Sequence, residues 1–230
     1  MLKSETKILI TGGGSGGHIS VADALINTLI TDYDIPKENI CYVGGDLGME
    51  GERKGNSLEQ KYFKDMDIKK YFIRAGKLQR KVSLSSIILP LRSILGLFDS
   101  LSIISKNKPK FIISTGGFVS VPVCIAGLIL NKPVYLHEQT ASVGLSNKIV
   151  GVFAKKIYVS FPNSLKYFKK GKAIHIGNVV RKDIFVKNVT KDTDRDIVNL
   201  FSFEHDKPII YVSGGSLGSH VLNEKILGSI

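Results

Sequence analysis

Cysteine is nearly absent: the 230 residues hold two, Cys41 in ICYVGG and Cys124 in VPVCIAG, each inside an apolar run. Such thiols read as small buried hydrophobes, and the usage suits a reducing cytosol and excludes a disulfide framework. Long apolar runs are lacking too. The longest near-apolar stretch, Val121 to Leu130, falls far short of the roughly 18 residues a bilayer-spanning helix needs. Ile8-Leu9-Ile10 is too short for a signal-peptide core, so secretion is not expected. Repeats of fixed period and low-complexity tracts are absent. What remains is globular composition, 43% hydrophobic and 23% charged, which excludes a disordered or collagenous chain. The length accommodates one large α/β domain, or one domain and part of another.

Acidic residues are the minority, 20 against 32 basic ones, for a net charge of +12 and a pI near 9.6. The excess is concentrated. Between Lys61 and Arg92 stand nine basic residues, including Arg74, Lys77, Arg80 and Lys81, and two acidic ones, Asp65 and Asp67. VSLSSIILPLRSILGLFDSLSII overlaps and extends this segment. Pro90 fits a first helical position, and Leu91, Ile94, Leu95, Phe98 and Leu101 follow at helical spacing as the expected core face. Ile87, Ile88, Leu89 and Leu97 are then left as candidates for an exposed apolar patch ringed by basic residues. That combination attracts anionic lipid through segment 74–98, although a solvated basic loop on an ordinary buried helix has the same composition. Nucleic acid is not expected as a partner, because no aromatic RNA-binding pattern, zinc spacing or helix-turn-helix signature accompanies the charge.

Strands are expected at 7–11, 40–44, 111–115, 133–138, 156–160 and 173–177, and helices at 18–30, 90–106, 121–130 and around 145–153. The strands are continuous apolar runs, as when helices cover both faces of a sheet. This pattern describes a doubly wound parallel α/β sheet. After Arg181 the chain turns polar, and PIIYVSGGSLGSHVLNEKI opens a new strand-turn-helix that reads as the start of a second α/β domain.

Three glycine-rich turns each follow a strand and precede a helix: Thr11 to His18 (TGGGSGGH), Ser114 to Ser120 (STGGFVS) and Ser213 to Gly218 (SGGSLG). Gly12, Gly14 and Gly17 satisfy G-x-G-x-x-G, a tight turn that brings an anion to a helix N-terminus. A dinucleotide enzyme should end its second strand with an acidic residue for the ribose, whereas here the strand ends Val43-Gly44-Gly45 with Asp46 beyond. Three such turns, the third in the second domain, point instead to two nucleotide-binding-like halves that approach phosphates from both sides.

TGGGSGGH, STGGFVSVP, LHEQTASVGLSNK, IGNVVRKDIF and VSGGSLGSHVLN occur in the order found in the MurG family of peptidoglycan glycosyltransferases, glycosyltransferase family 28, which the chain resembles over essentially its whole length. The resemblance implies a GT-B fold. It implies a Rossmann-like acceptor domain over 1–180 and the incomplete start of a donor domain over 181–230. The implied activity is inverting transfer of N-acetylglucosamine (GlcNAc) from UDP-GlcNAc to lipid I, undecaprenyl-pyrophosphoryl-MurNAc-pentapeptide, without a metal or other cofactor. The implied location is the cytoplasmic face of the membrane, held peripherally.

Carried over by residue, the resemblance makes Gly13, Gly14, Ser15, Gly16, Gly17, Gly116, Gly117 and Phe118 the holders of the acceptor diphosphate. Ser15, Gly16, Gly17, Thr140, Asn147, Arg181, Gly215 and Ser216 become donor contacts, with Asn223 a weaker match. An inverting transfer needs a base for the acceptor hydroxyl. His18, at a helix start beside the anion site, is the first candidate and Glu138 in His137-Glu138-Gln139 the second, while His137 reads as structural. Two departures stand out: Val21 replaces a common proline, and Thr140 replaces the asparagine after His-Glu-Gln. The D-x-D triplets at 65–67, 192–194 and 194–196 lie in charged loops and receive no role, and His175, His205 and His220 lack metal-ligand spacing. The family runs past the end of this sequence, which leaves open a non-catalytic, membrane-associated acceptor-binding subunit of a split glycosyltransferase. A glycolipid synthase of the same superfamily, with another lipid acceptor, is a further alternative.

Overall fold

A computed structural model describes residues 3–47, 57–75, 85–185, 210–215 and 218–229, and for 85–91 the backbone alone. The chain divides into two compact units, Met1–Arg181 and Lys182–Ile230.

The first unit is a seven-stranded sheet of β1 (Ile8–Gly12), β2 (Ile40–Gly45), β3 (Lys69–Ile73), β4 (Phe111–Gly116), β5 (Val134–Glu138), β6 (Lys156–Val159) and β7 (Ala173–His175). The order is β3-β2-β1-β4-β5-β6-β7 and every pairing is parallel. Every residue of β1 and β2 is buried, which is why those runs do not alternate. Ile8 and Ile10 pack on one face with Ile19, Ala22 and Ile26 of α1 (Gly16–Thr31) and with Phe63, which follows α2 (Leu58–Tyr62). Leu9 turns to the other face, as the two-residue period of a strand requires. There it joins Ile104 of α3 (Ser85–Asn107), Val123 and Ala126 of α4 (Ser120–Ile129) and Val150 of α5 (Leu145–Phe153). The winding therefore reverses between β1 and β4, and the crevice at that switch point is where such sheets take ligands.

Helix α3 differs from the sequence expectation in two ways. It starts at Ser85, so Pro90 falls in its second turn, where the ring withholds one N–H from the Ser86 carbonyl while the rest of the 23-residue helix propagates. Its face is also rotated. Ile94, Leu95 and Phe98 are exposed, at 52, 37 and 62%, while Leu97, Leu101 and Ile104 pack on the core. Small residues explain the rotation. A Cβ on Gly96 would stand 2.1 Å from the Arg74 carbonyl oxygen, so the helix lies against the backbone that follows β3 through Gly96. Ser100, buried one turn on, returns its hydroxyl to the Gly96 carbonyl at 2.6 Å. Arg74 locks the arrangement with a fork of bonds to Asp99 at 2.9 and 2.6 Å.

In the second unit the described residues form a single turn of 3₁₀ helix (Lys182–Phe185) and α6 (His220–Leu227), capped by the Ser219 hydroxyl on the Leu222 N–H. The strand expected from Pro208 is not formed over 210–213, where Ile210 and Tyr211 are exposed. An extended apolar segment needs a neighbour to bond to, and the described residues of this unit supply none.

Candidate active site at the switch point

The first two glycine turns meet where β1 and β4 end. The Gly13 N–H donates to the Gly116 carbonyl at 3.2 Å, and the Thr115 hydroxyl donates to the His18 carbonyl at 2.9 Å. The loops approach so closely that a Cβ on Gly117, whose φ is +86°, would stand 2.0 Å from the Gly13 oxygen. Phe118 lies against Gly14. Ser15 precedes α1 in extended conformation without a side-chain capping bond, and no acidic residue occupies the first turn. The Gly17 and His18 N–H groups thus open the helix as donors for an anion.

His18 directly follows the opening glycine pair Gly16–Gly17, and its ring lies over the Gly116–Gly117 backbone. Its Nδ1 is 2.7 Å from the Thr115 carbonyl oxygen. A carbonyl only accepts, so in the neutral ring Nδ1 carries the proton and Nε2 keeps its lone pair. Burial holds the imidazole below its ordinary range, outweighing the opposing pull of the Thr115 carbonyl and of the Glu138 charge.

Glu138, at the end of β5, is buried and has both oxygens engaged. Oε1 accepts from the Thr140 N–H at 2.8 Å and the Thr140 hydroxyl at 2.7 Å, and Oε2 accepts from Asn147 Nδ2 at 2.9 Å. Thr140 thus directs its hydroxyl inward. Asn147, buried on α5, also lies against Gly116, where a Cβ would meet its amide at 2.6 Å. Glu138 is the post that ties β5, α5 and the second glycine turn together. His137, next to it, is buried and touches the Ser160 hydroxyl through Nε2 at 3.3 Å, and burial lowers its basicity too.

The structure adds residues that the sequence did not single out. Glu59 of α2 is buried beneath the first glycine turn, and its Oε1 accepts the Gly14 N–H at 2.6 Å. A Cβ on Gly13 would collide with that oxygen, and one on Gly44 would approach the Glu59 Cβ at 3.1 Å. The glycines at the end of β2 therefore make room for a carboxylate from another element, in the place where a dinucleotide enzyme keeps its ribose-binding acid. Asp46 is taken by Arg92 at 2.8 and 3.0 Å. With the Gly13 and Gly14 N–H groups both engaged, this loop's offer to an anion lies at the helix opening, at Gly17 and His18.

Arg181 donates to the Tyr62 hydroxyl at 3.0 Å, which in turn donates to Asp23 at 2.9 Å. Gly215 lies in the second unit, outside regular structure, and Ser216 lies outside the described residues. Both cysteines are buried and free, their thiols pushed up to about 12 by burial, so neither is a nucleophile at neutral pH. Asp65 and Asp67 are exposed, and Lys77, Arg80 and Lys81 lie outside the described residues.

A parallel switch-point sheet with glycine turns and a histidine at the helix opening suits a phosphate-bearing ligand. The model of the glycosyltransferase family 28 N-terminal domain matches residues 8–159, and the chain belongs to this family. It is 41% identical over 222 residues to the UDP-N-acetylglucosamine--N-acetylmuramyl-(pentapeptide) pyrophosphoryl-undecaprenol N-acetylglucosamine transferase of Staphylococcus saprophyticus, covering 96% of this chain and 57% of that protein. The protein of the same name from Staphylococcus aureus strain MRSA252 is 39% identical, with 96 and 58% covered. The chain thus spans under three fifths of the length of these relatives. The crystal structure of Acinetobacter baumannii MurG superposes with a TM-score of 0.58 at 21% identity, over 77% of this chain and 46% of that one, a likeness of fold.

Proposed function

We propose that this chain is the acceptor-side part of an inverting glycosyltransferase that moves GlcNAc from UDP-GlcNAc to the lipid-linked MurNAc-pentapeptide pyrophosphate. The observation that carries this reading is His18, neutral, tautomerically fixed by Thr115 and placed at the opening of α1. The acceptor diphosphate binds at the Gly17–His18 end of α1 and against the Gly116–Gly117 turn, and His18 Nε2 takes the proton from the acceptor hydroxyl. As that oxygen bonds to the anomeric carbon, the carbon–oxygen bond to UDP breaks and UDP leaves with the electron pair. Glu138 holds Asn147 and the 139–144 loop in place and does not move the proton. In this reading Arg181 is a donor diphosphate contact and Gly215 and Ser216 are donor contacts, and a further segment or polypeptide supplies the rest of the donor domain.

The chain works at an anionic membrane surface on the cytoplasmic side. Ile94 and Phe98 would each contribute roughly 1.5 to 3 kcal/mol if buried, yet they stand exposed beside a basic segment, as a lipid-facing stripe does. The electrostatic part is smaller than the charge count implies, because Arg74 and Arg92 are paired with Asp99 and Asp46. Lys77, Arg80 and Lys81 carry the attraction in this reading. Among the described residues no helix is long and apolar enough to cross a membrane.

Transfer of radiolabelled GlcNAc to a short-chain lipid I analogue, measured with this chain alone and with a matching donor-domain polypeptide, tests the reading. Transfer only after the addition supports it. A mixture that binds UDP-GlcNAc and leaves lipid I unconverted refutes it.

A further inference from the structure

Gln139 follows β5 and sits two residues beyond His137, so both side chains fall on the same side of the chain. One end of its amide touches His18 Nδ1, closer than an ordinary hydrogen bond. The nature of that end follows from its neighbours. His18 Nδ1 already faces the Thr115 carbonyl at 2.7 Å and therefore carries a proton, which an amide NH₂ cannot approach as a donor. With its nitrogen toward His18, the amide also leaves two buried atoms without partners, its own Oε1 and His137 Nδ1. Such atoms lose their hydration with no bond to offset it. The far end of the amide lies at the His137 ring, so a turn of half a revolution resolves all three conflicts, since amide oxygen and nitrogen are assigned from their partners.

We propose that Gln139 is a positioning residue: its oxygen accepts the His18 Nδ1–H alongside the Thr115 carbonyl, and its NH₂ donates to His137 Nδ1, so that His18 presents an unprotonated Nε2. The proton of His137 then lies on Nε2 and is directed to the Ser160 hydroxyl at 3.3 Å, which donates to Asn178 Oδ1 at 3.2 Å. A single directed set of hydrogen bonds thus runs from the glycine turn to the Asn178 loop ahead of Arg181. His18 and His137 receive opposite tautomers from one amide. The titratable groups acting on His18 are Glu138 and His137, both on β5, while β4 presents the Thr115 carbonyl and the backbone of Gly116 and Gly117. That Nε2 serves as a base rests on the proposed transfer, but the tautomers themselves do not.

The test is long-range proton–nitrogen NMR on the ¹⁵N-histidine-labelled 230-residue chain, free of ligand. The wild type should show His18 as the Nδ1–H tautomer and His137 as the Nε2–H tautomer. Gln139→Leu should move the His137 ring signals toward a mixture of tautomers, and Gln139→Glu should raise the His18 pKa by about one unit or more, a tenfold gain in proton affinity, by setting a carboxylate against Nδ1–H. Wild-type His18 found as Nε2–H, or both ring spectra unchanged in Gln139→Leu, overturns the proposal. If a variant does not fold, the two wild-type tautomers alone decide it. A failed transfer assay with the expected tautomers would count against the function and not against this role of Gln139.

Discussion

His18 Nδ1 lies 2.7 Å from the Thr115 carbonyl oxygen, and the Thr115 hydroxyl returns a bond to the His18 carbonyl at 2.9 Å. This reciprocal pair couples the opening of α1 to the end of β4 across the switch point. It fixes which ring nitrogen is available, and burial fixes the charge state. If the transfer uses this ring as base, the acid limb of its pH–rate profile lies below the ordinary histidine value of about 6.5. A limb at 7 or above would contradict that assignment. The same depression has a stability consequence. The unfolded chain binds this proton more readily than the folded one, so folding stability declines as pH falls below about 6.5 through the His18 contribution.

Glu59→Ala should destabilise the first unit by about 2 to 4 kcal/mol, because it opens a void beneath Gly13 and Gly44 and leaves the half-buried Gly14 N–H without its acceptor. Urea unfolding measures this directly. A loss under about 0.5 kcal/mol would mean that the carboxylate does not support the loop.

Asp99→Asn should weaken the docking of α3 on the end of β3 by about 1 kcal/mol or less at pH 7, since both partners are partly solvated. The Arg74 bond holds the Asp99 carboxyl below its ordinary range. Its contribution is therefore present above the unfolded aspartate value of about 3.9 and is lost as pH falls through the lower folded value. Wild type and variant should converge in urea midpoint in strong acid. A gap that persists there would assign the effect to packing.

Ile94→Ser with Phe98→Ser should weaken binding to anionic vesicles while leaving the unfolding midpoint nearly unchanged, because both side chains are exposed. Arg80→Glu with Lys81→Glu should weaken it further, and high salt should reduce the wild-type binding. Equal binding to neutral vesicles would contradict the electrostatic part.

Six of the seven strands and the first two glycine turns were legible because each is a local pattern: ILITG and FIISTG are apolar runs closed by glycine, and α1 and α4 follow directly; β3 was not, because Lys69-Lys70-Tyr71 carries no apolar run. The face of α3 was not. Apolar spacing favoured Ile94, Leu95 and Phe98, but Gly96 and Ser100 decide the packing through close approach to the Arg74 backbone, which no hydrophobic period registers. Glu59 was invisible for a related reason. Its partners, Gly14 and the pair Gly44–Gly45, are distant in sequence, and glycines that make room for a carboxylate look the same as glycines that make a turn. His18 and Glu138 were both visible as candidates, yet only the geometry separates them, one ring nitrogen left with a lone pair and one carboxylate with both oxygens engaged.

The measurement that bears most directly on the central claim compares wild type with His18→Asn in GlcNAc transfer to the lipid I analogue, each chain supplemented with the same donor-domain polypeptide. A base at this position predicts a loss of about 100-fold or more in turnover with UDP-GlcNAc binding retained. Turnover within a few-fold of wild type in His18→Asn would contradict it.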